Sequence, residues 1–278
     1  MTISEKINFG IINIDKPKGP TSFTITDFVR KSLGISKATH LGTLDPAVTG
    51  VLPIALGRAA RLSAYLMHAK KEYIGKMHIH QDIAIEKIKE EIKKSFLGKI
   101  RQLPPVRSRV KRAEREREIY EFEILEKKDK DISFRVKCQA GTYIRKLVFD
   151  LGEKLKIGAH MTELRRTSAG LFQEKDSIKI QDFEKAVEKF KKGNSQALNN
   201  IIIPAEEIIK KILPVIQVKK ETAGKLLTGK PIFREDIEEG KIPEEGKFFA
   251  VFCDSRFIEI AKVVNEEDLI AKPEFVLN

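Results

Sequence analysis

The densest chemistry in the sequence lies in one run, His40-Leu41-Gly42-Thr43-Leu44-Asp45-Pro46-Ala47-Val48-Thr49-Gly50. It surrounds a single aspartate with glycines, threonines and a proline. Gly and Thr favour tight turns in which backbone N–H groups and hydroxyls face inward. The following proline biases Asp45 toward extended backbone. A carboxylate fixed in this way is a candidate catalytic group; the plainer reading is an Asp that only accepts turn hydrogen bonds. Three shorter stretches accompany it. Lys16-Pro17-Lys18-Gly19-Pro20-Thr21-Ser22 reads as a strand-to-helix turn with two lysines. Gly141-Thr142-Tyr143-Ile144-Arg145 sits at a helix start, where an arginine could pair with a buried carboxylate or simply be exposed. Lys71-Glu72-Tyr73 lies in an alternating strand, where a tyrosine is more often core than a stacking platform. A fifth stretch, 99–118, carries Lys99, Arg101, Arg107, Arg109, Lys111, Arg112, Arg115 and Arg117 against three glutamates, a net +5 suited to phosphate contacts or to a solvated loop.

The elements that must hold these stretches form a mixed pattern. Ile11 to Ile14 reads as a strand, and Ser22 as the N-cap of a helix through Leu33. The apolar run Val51 to Leu56 follows the Asp45 loop directly and anchors it on a rigid strand. Ala59 to Leu66 reads as helix and Lys71 to His80 as strand. Ile85, Ile88, Ile92 and Phe96 follow helical spacing, with Asp82 as a cap. Ile119 to Leu125 and Ile132 to Cys138 read as strands joined by a polar turn, and Thr142 to Leu155 as helix. Unequal groups of strands and helices favour an α+β fold with a mixed or largely antiparallel sheet. Beyond Pro204 to Pro214, which bracket a short helix Ala205 to Ile212, the strand-like runs 215–218, 248–252 and 257–264 with intervening glycines fit a small β-barrel or sandwich. The expected domains are 1–208 and 209–278.

Composition narrows the class. The chain has 278 residues, 41% hydrophobic, which excludes a disordered, collagenous or disulfide-scaffold protein. It carries 52 Lys+Arg against 40 Asp+Glu, net +12, and nucleic acid is the common partner of such a charge. The charge is uneven: residues 213–278 are net −3, leaving net +15 on residues 1–212. Cys138 and Cys253 lie far apart with no Cys/His cluster, so neither a zinc site nor a disulfide is expected. No apolar segment reads as a signal or a membrane span, which predicts a soluble cytoplasmic protein.

Each motif alone is weak, but their order is not. His-x-Gly-Thr-Leu-Asp-Pro-x-x-Thr-Gly, preceded by Lys-Pro-x-Gly-x-Thr-Ser and followed by Lys-x-Tyr, Gly-Thr-Tyr-Ile-Arg and Glu163-Leu164-Arg165-Arg166-Thr167, resembles the TruB family of pseudouridine synthases from about Ile11 to Phe172. The strand ending Met77-His78-Ile79-His80 passes straight into a helix, without the thumb insertion of bacterial TruB enzymes. Leu103-Pro104-Pro105-Val106-Arg107-Ser108-Arg109-Val110-Lys111-Arg112 and Gly158-Ala159-His160-Met161 resemble the archaeal and eukaryotic H/ACA enzymes, the dyskerin group.

The resemblance implies isomerisation of uridine in RNA with no cofactor and no metal. It makes Asp45 the catalytic aspartate, Arg145 its pairing arginine and Tyr73 the tyrosine that stacks on the extruded base. Tyr143 and Leu164 become pocket residues, His40 a neighbour of the flipped nucleotide and Lys16 a lysine behind the pocket. Arg107, Arg109, Lys111 and Arg112 become RNA-contact candidates. The C-terminal segment becomes a PUA-type barrel, despite its acidic balance, with Lys219, Lys220, Lys225 and Lys230 as a possible basic patch. The implied partners are guide RNA, substrate rRNA or tRNA, a zinc-ribbon Nop-type protein, a Gar-type protein and a kink-turn-binding protein. Two rivals stand beside this reading: a stand-alone tRNA pseudouridine-55 synthase, and a non-catalytic RNA-binding scaffold.

Overall fold

The computed structural model describes residues 2–103 and 113–278; Arg107, Arg109, Lys111 and Arg112 lie outside them. The larger part contains β1 (Gly10–Lys16), β2 (Ala38–His40), β3 (Thr49–Leu56), β4 (Lys71–Ile79), β5 (Gly98–Gln102), β6 (Arg115–Lys128), β7 (Asp131–Cys138), β8 (Ala159–Ala169) and the short β9 (Phe172–Gln173), β10 (Ile178–Lys179) and β11 (Ile202–Pro204). Its helices are α1 (Ile3–Asn8), α2 (Ser22–Ser32), α3 (Ser63–Leu66), α4 (Ile85–Ser95), α5 (Ile144–Lys154), α6 (Ile180–Lys191), α7 (Gln196–Ile201) and α8 (Ala205–Ile212). After α8 come β12 (Val215–Val218), α9 (Lys220–Leu226), β13 (Ile232–Phe233), β14 (Ile237–Glu239), β15 (Phe248–Cys253), β16 (Arg256–Glu266) and β17 (Leu269–Val276).

The large sheet runs β10-β1-β3-β8-β4-β7-β6-β5. It is mixed: β1 and β3, β4 and β8, and β4 and β7 are antiparallel, whereas β3 and β8 run parallel. The parallel contact is only two residues long, Thr49 opposite Arg165 and Gly50 opposite Arg166, and it joins the two halves of the sheet. Gly50 has φ +101°, and a Cβ there would lie 2.2 Å from the Arg166 carbonyl oxygen. Only glycine allows that approach.

Both faces of β1 and β3 are covered, which is why they read as unbroken apolar runs. Ile12, Ile14, Leu52 and Ile54 pack against α2, α6 and α7 through Ile25, Val29, Phe183 and Leu198. β4 instead alternates, with Lys71, Tyr73, Gly75, Met77 and Ile79 inward. That inner face receives α5, whose buried Ile144, Leu147, Val148 and Leu151 follow one helical stripe.

The second sheet, ordered β13-β17-β16-β15-β12-β14, forms a small, nearly closed barrel with its own core. A further core is shared between the two parts: Phe9, Ile11, Val51, Leu62 and Leu66 pack with Ile208, Ile209, Phe252, Phe257 and Phe275. Phe9 and Phe257 stack with ring centroids 5.5 Å apart.

Several expected boundaries shift for identifiable reasons. Thr21, not Ser22, caps α2, because its hydroxyl accepts from Thr24 N. The expected helix Ala59 to Leu66 is a 3₁₀ turn, Gly57–Leu62, followed by the single turn of α3. Asp82 accepts from Ile83 N and pairs with Lys127, so it does not cap α4, whose N-cap is Ala84. Thr142 precedes α5 and donates to the Gln139 carbonyl in a turn. Of the expected basic patch, Lys220 pairs with Asp254 and Lys225 with Asp236.

Candidate active site

The backbone around Asp45 is tied down on both sides. Before it, Leu44 N donates to Ser22 Oγ at 2.8 Å, and the same hydroxyl donates to the Leu44 carbonyl at 3.0 Å. After it, Gly19 N donates to the Pro46 carbonyl at 2.9 Å. Lys16, fully buried, donates from Nζ to the carbonyls of Pro17 (2.8 Å), Pro20 (2.9 Å) and Pro46 (3.3 Å). Burial lowers the pKa of this ammonium, and the charge of Asp45 opposes that shift. Leu41, Leu44 and Val48 plug the loop into the core. Lys16 is thus a brace behind the loop, and Ser22 is a second brace that its place in the sequence disguised as a helix cap.

The Asp45 side chain points the other way. Arg145 Nη2 donates to Asp45 Oδ2 at 2.8 Å, and the arginine and aspartate side chains are 58% and 59% exposed. Of the two readings of the helix-start arginine, pairing with a buried carboxylate or simple exposure, the structure shows a mixture: Arg145 is exposed and pairs with an open carboxylate. Arg145 is aimed by its helix. Tyr143, the N-cap of α5, has its N–H bound to Gln102 Oε1 (3.0 Å) and its carbonyl to Gln102 Nε2 (3.1 Å), and Gln102 is 2% exposed. One buried amide at the end of β5 fixes where α5 begins.

Tyr73 and Leu164 are both buried, in the same core cluster as Leu44 and Val48 of the loop. Burial raises the Tyr73 pKa; Arg166 opposes the shift by its charge and by a hydrogen bond, while Asp45 adds to it. The phenol and the carboxylate therefore share one electrostatic environment. Arg166 is fully buried and donates to the carbonyls of Val51 (2.8 Å) and Gly42 (2.9 Å). It reaches from β8 to both ends of the loop region and to the tyrosine. Lys71, beside it, is lowered to about 8 by burial and by the Arg166 charge. His40 is held by two hydroxyls, Thr26 Oγ1 at Nδ1 (3.2 Å) and Thr43 Oγ1 at Nε2 (3.0 Å). Burial, then the Arg166 charge, lowers its pKa, which keeps the imidazole neutral near pH 7.

Asp45, Arg145, Tyr73, Tyr143, Leu164, His40 and Lys16 thus gather around one loop between the starts of α2 and α5. Ser22, Gln102, Lys71 and Arg166 support them, although the sequence reading gave Ser22 only a capping role and the other three none. Arg166 left a trace, as an arginine inside a strand motif; Gln102 left none.

Comparison with known proteins places the chain in a family. Residues 30–144 match the model of the TruB family pseudouridylate synthase N-terminal domain, and residues 145–210 that of the tRNA pseudouridylate synthase B C-terminal domain. The chain is 46% identical over 228 residues to the probable tRNA pseudouridine synthase B of Methanopyrus kandleri, covering 82% of this chain and 67% of the relative. It is 44% identical over 236 residues to the protein of that name from Methanocaldococcus jannaschii, covering 84% and 70%. Among solved structures it is similar to a chain of a Cbf5-Nop10-Gar1 complex (TM-score 0.89, 36% identity, 99% of this chain and 87% of that one). It is equally similar to a chain of an H/ACA RNP bound to a substrate RNA containing 2′-deoxyuridine (TM-score 0.89, 33% identity, 100% and 88%). With the motif loop, its arginine and its tyrosine in one place and the family models spanning most of the chain, the protein belongs to the TruB family of pseudouridylate synthases.

Proposed function

We propose that this chain converts uridine to pseudouridine in RNA, with Asp45 as the catalytic carboxylate, and that the Asp45–Arg145 pair is the observation that carries the reading. The N1–C1′ bond of the uridine breaks, the uracil turns, C5 bonds to C1′, the C5 proton leaves to solvent, and N1 takes up a proton. The uridine must first leave its stack, at a cost of a few kcal/mol. Asp45 presents its carboxylate at an open surface, where an extruded nucleotide can reach it. Arg145 holds one carboxylate oxygen in place through the 2.8 Å hydrogen bond. Tyr73 and Leu164 form the floor on which the base rests, and Tyr143 lines one side. His40, neutral and hydroxyl-bound, and Lys16 shape the loop from behind.

The same reading makes residues 1–208 the catalytic domain and 209–278 an RNA-holding barrel of a cytoplasmic protein. It also makes the chain the catalytic subunit of a guide-RNA-dependent H/ACA particle, with Nop-type, Gar-type and kink-turn-binding proteins as partners. Support comes from the likeness to chains solved in such complexes and from the direct passage of β4 into α4 with no inserted thumb. The names of the curated relatives favour a second reading, unaided action on tRNA.

RNA tritiated at uracil C5 separates these readings, because forming the C5–C1′ bond releases the label. Release from a guide-matched target only when guide RNA and partner proteins are present supports the particle reading. Release from an isolated tRNA T-arm by the protein alone supports the tRNA enzyme. Release in neither case, with RNA still bound, removes the catalytic reading in favour of a scaffold.

A further inference from the structure

Three phenylalanines stand out in water among the described residues, Phe23 (72% exposed), Phe149 (49%) and Phe233 (39%). Two of them belong to the helices that grip the Asp45 loop. Phe23 follows Ser22, whose hydroxyl binds both backbone groups of Leu44, and the adjoining turn touches Pro46 through Gly19. Successive Cα atoms are about 3.8 Å apart, so the Phe23 backbone lies next to the residue that holds the loop. Phe149 is one turn beyond Arg145 on α5, and residues four apart in a helix share a face, with Cβ atoms about 5–6 Å apart. Phe23 therefore rises on the α2 side of the Asp45–Arg145 pair and Phe149 on the α5 side. Lys146 Nζ lies 5.4 Å from the Phe149 ring centroid and pairs with Asp150, so a cation accompanies that ring.

Neither position needs an aromatic residue for the fold. The inward stripe of α2 is Ser22, Ile25, Thr26 and Val29, and that of α5 is Ile144, Leu147, Val148 and Leu151. Both rings lie on the outward faces, where water would be met better by lysine or glutamate. A flipped uridine leaves two neighbours with one face unstacked each, and an exposed ring is a surface that receives an unstacked base; at Phe149 the Lys146 cation stands beside it.

We propose that Phe23 and Phe149 are stacking platforms for the nucleotides flanking the target uridine, one on each side of Asp45. This inference rests on the uridine-isomerising reading above. It makes the two rings positioning residues: they hold the strand so that the gap between its neighbours falls over the carboxylate.

The test uses 2-aminopurine, whose fluorescence is quenched by stacking, placed on the 5′ or the 3′ side of the target uridine. Two RNAs carry it, a tRNA T-arm and a target paired to guide RNA with partner proteins present. Binding is read in an Asp45→Asn background and turnover, by tritium release, in the parent. Phe23→Ala and Phe149→Ala should each abolish the protein-induced change of one probe position and not the other. Each should weaken binding roughly 5- to 150-fold, the range expected for one lost base–aromatic stack. The loss should appear in KM, with kcat at saturating RNA nearly unchanged. Phe→Tyr at either site should restore parent behaviour, whereas Phe→Leu, which keeps the bulk and loses the π-face, should not. Probe signals and KM unchanged in both alanine variants overturn the proposal, as does full rescue by leucine, which would mark the rings as a protein-docking surface. If the parent releases no tritium from either RNA while the probe changes still follow Phe23 and Phe149, the isomerase reading fails and the stacking platforms stand.

Discussion

Glu259 offers a sharp test of the barrel. It lies on β16 opposite Val251 of β15, fully buried, and neither carboxylate oxygen has a hydrogen-bond partner. Burial alone pushes its pKa up to about 8, from an ordinary 4.5. The folded protein therefore carries a neutral acid there up to about that pH, whereas the unfolded chain ionises above 4.5. Below 4.5 both states hold the proton and the site adds no pH dependence. Between 4.5 and 8 the unfolded state gives up a proton that the folded state keeps, so stability falls as pH rises, and it levels off once both states are ionised. At about 1.36 kcal/mol per unit the full shift amounts to almost 5 kcal/mol, and local relaxation around the charge reduces it to roughly 3–5 kcal/mol. Glu259→Gln keeps the shape and never ionises. At pH 5 the variant should match the parent within about 1 kcal/mol, and at pH 9 it should be more stable by roughly 3–5 kcal/mol. The protein has no tryptophan, so urea unfolding is best followed by far-ultraviolet circular dichroism at pH 5, 7 and 9. A stability difference between parent and variant that stays constant across this range would refute the assignment of an uncharged buried Glu259.

Three further outcomes follow from the geometry. Asp45→Asn should abolish tritium release while changing stability by no more than about 1 kcal/mol, because an exposed ion pair contributes little; a large drop in melting temperature would instead make Asp45 a turn residue. Tyr73→Phe should keep the ring and most turnover, at a cost of about 1–2 kcal/mol for the hydrogen bond lost to Arg166. Tyr73→Ala should lose both turnover and about 3–5 kcal/mol, the cost of deleting a buried ring, and equal tritium release from the two variants would remove Tyr73 from the pocket floor. Gly50→Ala should destabilise the protein by more than about 3 kcal/mol in thermal unfolding, since its Cβ meets the Arg166 carbonyl at 2.2 Å and its φ is positive.

Much of this was legible in the sequence, and the exceptions share a cause. Periodicity located β1, β3, β4 and β7 and the apolar stripes of α4 and α5, because each buries one repeating face or two whole faces. The order of the motifs, through the family it resembles, singled out Asp45, Arg145 and Tyr73 as candidates; each motif alone did not. Features decided by distant partners were not legible. Ser22 has every local property of a cap, and only the approach of Leu44 diverts its hydroxyl. Gln102 clamps Tyr143 across 41 residues of sequence. Arg166 resembles its neighbour Arg165, yet Arg165 is an ion-pair residue with Asp15, whereas Arg166 ends in buried carbonyls because the strand alternates. The shared core around Phe9 and Phe257 was equally hidden, since each half looks like an ordinary apolar strand end.

The double tether on the Asp45 loop has a dynamic consequence. A loop anchored through Ser22 on one flank and through Gly19 and Lys16 on the other has little slack with which to follow a substrate. The adaptation needed for a productive complex then falls on the nucleic acid. Sequences that unstack easily should react faster at the same occupancy, and the temperature dependence of turnover should track the melting of the RNA rather than motion of the Asp45 loop.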